Sequence, residues 1–374
     1  MAKIILLLNP VYVTLFWAMV LTFQNKKQPA PKVFLGRFML VAFLLYFSHF
    51  LYFTGQMEIY YYLDSVYILA SLLVYPLYHI YVRLLTVDEW FSLKNHGRFL
   101  ILPVLIFIMH LTGYVLMSKP EGMYYLTAGI SGMNSGSAML TYQDMVYQVF
   151  RAGFIAQVFF YLFFNFRLII RHNNRIADYF SNLEDRNLSW LQFFNFSLAA
   201  TSLASVAAAI LGRDIFSTSE IHLAVPSVLF SLMLFVIGFL GNIQKEVNIV
   251  KEIKAETWSE KAFQPGLKKR METLFEKEMI FRNPDLKIWD LCNMLGTNRT
   301  YVSRVINNDY SRNFCNHVNH YRVMYAKKLI AENRELGNDD LAELSGFGSV
   351  NSLYRAFASS EGITLGEFKK HNGK

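Results

Sequence analysis

The stretch NRTYVSRVIN, Asn298 to Asn307, combines residue types that can read a polyanion. Val302, Val305 and Ile306 recur at helical spacing, which leaves Asn298, Arg299, Thr300, Ser303 and Arg304 on the other faces of one short helix. A guanidinium fork matches the two acceptors on a guanine edge, an amide matches adenine, and hydroxyls and cations hold phosphate. About fifty residues later SVNSLYRAFASSEG repeats the design, with Leu353, Tyr354 and Phe357 as the inner face and Ser349, Val350, Asn351, Ser352 and Arg355 on the outer one. Each stretch follows a shorter helical pattern and a glycine turn. The first is DLKIWDLCNMLG, with Ile288, Leu291, Cys292 and Leu295 inward and Gly296 as the stop. The second is NDDLAELSGFGS, with Leu341, Ala342 and Leu344 inward and a turn at Gly346-Phe347-Gly348. Two helices joined this way form a helix-turn-helix. Between the two units lies NFCNHVNHYRVMYAKKLIAEN, one long helix expected to pack through Phe314, Val318, Tyr321, Met324, Tyr325, Ala326 and Leu329. Two units on a rigid connecting helix can enter successive major grooves on one face of a duplex.

The segments YVSRVIN, NFCNHVNHYRVMYAKKLI and LAELSGFGSVNSLYRAFASSEGITLGEF cover most of Ile288 to Lys369 and closely resemble the DNA-binding domain of AraC/XylS bacterial transcription regulators. The resemblance implies an all-helical double helix-turn-helix of about 100 residues, promoter binding and transcription control, often by dimers. By position it implies that Arg299, Thr300, Ser303 and Arg304 belong to the first reading helix, and Ser349, Asn351, Ser352 and Arg355 to the second. Two departures stand out. Ala358, Ser359 and Ser360 follow the inner Phe357 where the family has basic residues, and Leu365 follows Thr364 where it has proline. Lys268 to Lys374 holds 17 Lys+Arg against 13 Asp+Glu, a net +4 that is modest for a DNA binder. A single domain is therefore expected to bind weakly, with dimerisation or membrane confinement raising its effective concentration.

The rest of the chain has a different composition. Of 374 residues 53% are hydrophobic and only 17% charged, where a soluble domain carries about a quarter charged. A bilayer core of about 30 Å calls for about 20 apolar residues in a helix. Seven runs qualify, close to Ile4–Phe23, Phe34–Phe53, Tyr61–Leu85, Phe99–Met117, Met145–Ile170, Leu191–Leu211 and Ile221–Ile243. Pro76, Pro103 and Pro226 lie inside runs, where transmembrane helices tolerate them as kinks. The loops after the first, third and fifth runs hold Lys26, Lys27, Lys32 and Arg37; Arg83, Lys94 and Arg98; and Arg167, Arg171, Arg175 and Arg186. The intervening loops hold no basic residue, Lys119 and Arg213. The positive-inside rule then places the N-terminus outside and everything after Ile243 in the cytoplasm. The first run lacks a small-residue cleavage site and has NKKQPAPK downstream, which favours an uncleaved span.

After Ile243 the polar stretch QKEVNIVKEIKAETWSEKAF keeps Ile243, Val247 and Val250 at helical spacing, either as a solvated linker helix or as a short pairing segment, until Pro265-Gly266 breaks it. Cys292 and Cys315 stand 23 positions apart with no second pair, so zinc is not expected and both read as buried thiols. Ionisable groups within apolar runs are functional candidates. His49, His110 and Arg151 fall in the outer halves of their runs as candidates for one ligand pocket, under the long Gly/Ser-rich loop SKPEGMYYLTAGISGMNSGSAMLTYQD as a lid. His79 falls nearer the cytoplasmic end. There is no H-E-x-x-H, G-x-S-x-G, Walker or dinucleotide pattern, and nothing after the seventh run resembles a kinase nucleotide domain.

These observations lead to an all-α chain. Residues 1–243 are expected as a seven-helix transmembrane bundle, 244–266 as a cytoplasmic linker helix, and 267–374 as an AraC-type double helix-turn-helix. The expected function is non-enzymatic: a membrane-anchored one-component transcription regulator in the bacterial inner membrane, without cofactor or metal. The expected partners are double-stranded DNA, membrane lipid, a second copy of the chain, RNA polymerase and a small-molecule or envelope signal of unknown identity. The alternative is a transporter or channel with a regulatory tail, which the lack of an internal repeat and the few buried charges disfavour.

Overall fold

Six of the seven apolar runs lie within one helix each, and the fourth begins in a 3-10 turn at Gly97–Leu100 and continues in the helix Ile101–Leu116. The computed structural model describes residues 2–23, 30–87, 91–128, 137–184, 186–211, 220–244, 265–333 and 335–371. Among these the regular structure is helical, apart from one isolated antiparallel bridge between Phe180 and Lys287. Contacts divide the chain into two units: residues 1–170 with 189–246, and residues 171–188 with 247–374.

The first unit contains α1 (Ala2–Phe23), α2 (Ala30–Phe53), α3 (Met57–Thr86), α4 (Leu93–His96), α5 (Ile101–Leu116), α6 (Lys119–Ala128), the larger part of α7 (Ala138–Ala177), α8 (Ser189–Leu211) and α9 (Glu220–Ile243). α1 packs on α2 and α9, α2 on α3, α3 on α5 and α6, and α8 on α9. Five described helices are long and apolar enough to cross a membrane by length and composition: α1, α2, α3, the stretch Leu93–Leu116 and α7. In α9 the described apolar part, Ser227–Ile243, is shorter. Pro76 sits inside α3 without ending it. Small residues let helices approach: a Cβ on Gly238 of α9 would stand 2.3 Å from the Trp17 ring of α1. The long loop expected as a lid is partly helical. Glu121 accepts from the Ser118 backbone N–H at 3.0 Å and hydroxyl at 2.9 Å, an N-terminal cap that starts α6 within it. Its residues 129–136, like 245–264 of the expected linker helix, lie outside the described residues.

In the second unit α10 (Leu267–Glu276) precedes a 3-10 turn at Ile280–Arg282, then α11 (Ile288–Leu295), α12 (Arg299–Tyr310), α13 (Phe314–Glu332), α14 (Asn338–Leu344), α15 (Val350–Glu361) and α16 (Leu365–His371). α10 stops at Glu276, and Met279 takes φ 49°, which turns Phe281 into the core. One core joins Met271, Phe275, Phe281, Ile288, Leu291, Leu295, Val302, Ile306, Phe314 and Val318. A second joins Val323, Ala326, Ile330, Leu341, Ala342, Phe347, Leu353, Phe357 and Leu365. The two halves of α13 thus seed one core each. Three expected core residues are corrected. Met324 is 50% exposed because Arg322 and Val323 take the buried face of α13. Leu344 ends a two-turn helix whose buried side is Leu341 and Ala342, and Tyr354 turns outward, where its hydroxyl accepts from Asn338 at 3.0 Å. Cys292 and Cys315 are both buried, and burial pushes the Cys315 thiol up to about 11.

His317 is 1% exposed among the rings of Phe275, Tyr310 and Tyr321. Burial, helped by Arg312 and His320, lowers its pKa to about 4. The unfolded chain, with an ordinary histidine, therefore binds more protons between about pH 6.5 and 4, so stability falls as pH falls through that window. Acidification is expected to destabilise the second unit by up to about 1.4 kcal/mol per pH unit there. Hydrogen exchange of α10 and α13 in the full chain measures this, and His317→Phe is expected to flatten the slope; equal slopes refute the assignment. Gly238→Leu is expected to cost about 1–3 kcal/mol by forcing α1 and α9 apart, seen as a lower melting temperature in detergent. An unchanged melt would show that Trp17 can move aside.

Candidate functional site

The first helix-turn-helix is built from α11, a tight turn and α12. Gly296 adopts φ 66° and its N–H reaches the end of α11, closing the helix as only glycine does without strain. Asn298 then caps α12, its side-chain oxygen accepting from the Tyr301 N–H at 3.3 Å. With Val302 and Ile306 buried, Thr300 and Arg304 are exposed and Ser303 is half-buried. Arg299 points to a different neighbour: its guanidinium lies 4.2 Å from the centre of the Tyr179 ring and donates to the Tyr179 hydroxyl.

The second helix-turn-helix repeats the local chemistry. Gly346 has φ 83°, and a Cβ there would stand 2.5 Å from the Arg282 Cα and the Phe281 carbonyl, so both conformation and space require glycine. Ser349 caps α15 by accepting from the Ser352 N–H at 3.2 Å. Leu353 and Phe357 face inward, and Asn351 and Arg355 outward. Glu184 gathers three of the expected reading residues: Ser349 donates to it at 2.8 Å and Ser352 at 3.4 Å, and Arg355 approaches at 3.9 Å.

Tyr179 and Glu184 belong to the connection between α7 and α8, which the sequence reading treated as a cytoplasmic loop without a docking role. The connection is built into the second unit. Ile288 N–H donates to the Tyr179 carbonyl at 3.0 Å, Ser181 N–H donates to the Leu286 carbonyl at 3.2 Å, and Ile176, Tyr179 and Phe180 join the first core. Arg322 completes the anchorage. It is 1% exposed and donates to the carbonyls of Phe281 at 2.8 Å and Asn283 at 2.7 Å and to the Ser181 hydroxyl at 3.1 Å. Burial lowers its pKa to about 10, so it stays cationic at neutral pH. Sequence reasoning missed this segment. Its signal was a connection too long for a simple turn, with apolar Ile176, Tyr179 and Phe180 set among charges.

The apolar helices hold a polar cluster of their own. Asp64 of α3 accepts from the Tyr60 and Tyr114 hydroxyls, each at 2.7 Å, and lies 3.6 Å from Nε2 of His110, whose Nδ1 is 3.0 Å from the Ser65 hydroxyl. Among the three candidate pocket residues, His110 is thus fully buried in this cluster. His49 packs on Tyr67, whose ring neighbours Tyr60, and Arg151 donates to Gln148 on its own helix. Asp64 and the two tyrosines escaped the sequence reading, although a carboxylate within an apolar run is itself the signal. His79 lies apart, 2.7 Å from Asn165.

Arg322→Met is expected to leave the Phe281 and Asn283 carbonyls and the Ser181 hydroxyl without their buried donor and to lower stability by about 3 kcal/mol or more, and Arg322→Lys to recover little, since an ammonium cannot span the same acceptors. Thermal unfolding of the full chain tests this, and a lysine variant as stable as the wild type would refute the role of the fork. Residues 291–371 match a family described as a helix-turn-helix domain, of the AraC type. The match runs from within α11 to the end of α16 and so takes in both helix-turn-helix motifs and the helix between them. Searches of curated proteins and of solved structures found no match.

Proposed function

We propose that the chain is a membrane-anchored one-component transcription regulator, with residues 1–243 as a seven-span module, N-terminus outside, and residues 267–374 as a cytoplasmic domain that binds promoter DNA sequence-specifically. The observation that carries this reading is the pair of helix-turn-helix units on one connecting helix, matched to a DNA-binding family, in a chain that also holds five helices of membrane-spanning length and apolarity. Exposed Thr300, Arg304 and Asn351 are the side chains best placed to meet base edges and phosphates, with Ser303 beside them. Asn298 and Ser349 cap the two reading helices, whose N-terminal ends favour phosphate. Arg299, Ser352 and Arg355 complete the proposed set. Dimerisation would supply the second half-site and the affinity that a net charge of +4 over Lys268 to Lys374 does not. RNA polymerase is the further partner that promoter control requires. The signal would act on the apolar helices, where the Asp64 and His110 cluster is one polar group buried among them.

Genomic DNA crosslinked to the full-length protein in its host tests this reading. Discrete sites are expected for the wild type, and an Arg304→Ala, Asn351→Ala double variant is expected to lose at least tenfold in occupancy, since each base-edge contact carries about 1–3 kcal/mol. A wild type without enriched sites, or a variant with the same sites at the same occupancy, refutes it.

A further inference from the structure

The stretch from Asp178 to Glu184 touches both reading helices at the side chains that DNA would need. Tyr179 stacks on and accepts from Arg299 of α12. Five residues on, Glu184 accepts from Ser349 and Ser352 and faces Arg355 of α15. Four of the nine proposed DNA-contacting residues are therefore engaged by one short segment. The chemistry is that of the ligand it would displace: a carboxylate accepting from two serine hydroxyls beside a guanidinium is what a backbone phosphate would do at the same three groups. Its negative charge would also repel a phosphate brought to the N-terminal end of α15. The segment is held by structure independent of these contacts, namely the bridge to Lys287, the Arg322 bonds to Ser181, and the burial of Tyr179 and Phe180. It is also the covalent connection between α7 and α8, two apolar helices of the first unit.

We propose that Asp178–Glu184 is an autoinhibitory strap, an internal phosphate mimic that occupies Arg299 and the Ser349, Ser352 and Arg355 cluster until DNA or a displacement of α7 and α8 removes it. The inference rests on the DNA-binding reading above. It assigns the connection between α7 and α8 a function that an ordinary loop lacks: movement of either helix pulls directly on the groups that contact DNA, without passing through residues 245–264.

The test uses the full-length protein in detergent, titrated with a pool of random-sequence DNA duplexes, as wild type, Glu184→Gln, a Glu184→Gln, Tyr179→Phe double variant, and Arg304→Ala. Removing the charge while keeping side-chain size is expected to tighten binding about 5-fold, and the double variant about 20-fold, with Arg304→Ala weaker than wild type. Hydrogen exchange at 178–184 of the wild type is expected to rise when DNA is added, a readout that needs no variant to fold. Equal affinity of wild type and strap variants, with Arg304→Ala still weaker, overturns the strap and leaves DNA binding standing. DNA-induced protection of 178–184 also overturns it. Binding by none of the four forms overturns the DNA-binding reading and the strap together.

Discussion

A guanidinium without water must find its acceptors inside the protein, and the second unit is arranged around that requirement at Arg322. Among the described residues its acceptors are the carbonyls of Phe281 and Asn283 and the hydroxyl of Ser181 rather than a carboxylate. These acceptors come from the turn before α11 and from the connection between α7 and α8, while the donor stands midway along α13. One side chain therefore registers three segments that are far apart in sequence. The Phe347 ring lies 5.6 Å from the same guanidinium, and Gly346 lets the second turn close onto the Phe281 and Arg282 backbone. The positions of both helix-turn-helix units thus converge on one buried cation.

The two helix-turn-helix motifs share a local logic. The second helix of each starts at a polar cap, Asn298 or Ser349, and each cap follows a glycine in the left-handed region, Gly296 or Gly346. The cap leaves a helix N-terminus pointing outward, where phosphate is favoured. The inner faces separate into two cores, and α13 contributes to both. A stiff connecting helix fits units that must meet a duplex at a defined spacing.

In the first unit two groups of polar side chains between apolar helices pair with each other. Asp64 takes two tyrosine hydroxyls and lies beside His110, and His79 meets Asn165. Such pairing is what a low-dielectric surrounding demands of any charge or amide placed in it. It ties α3 to α5 and α7.

Much of this was legible in the residues themselves. Local rules act over a few positions, so the glycine turns, the inner faces of α11 and α12, the long α13 and the apolar lengths of the helices could all be read from spacing. The same rules placed Thr300, Arg304 and Asn351 on the outside. They failed at Met324, Leu344 and Tyr354, where apolar character favoured burial but the available faces were already filled, Arg322 taking one of them. They also passed over Tyr179, Glu184 and Asp64. Those residues acquire their roles only from partners tens to more than a hundred positions away, such as Arg299, Ser349 and Tyr114, and long-range contact leaves no periodicity in a single sequence. Sequence alone determined which helices form and what chemistry they carry; tertiary structure decided which of those groups meet, because packing and the need to satisfy buried charge act across the whole chain.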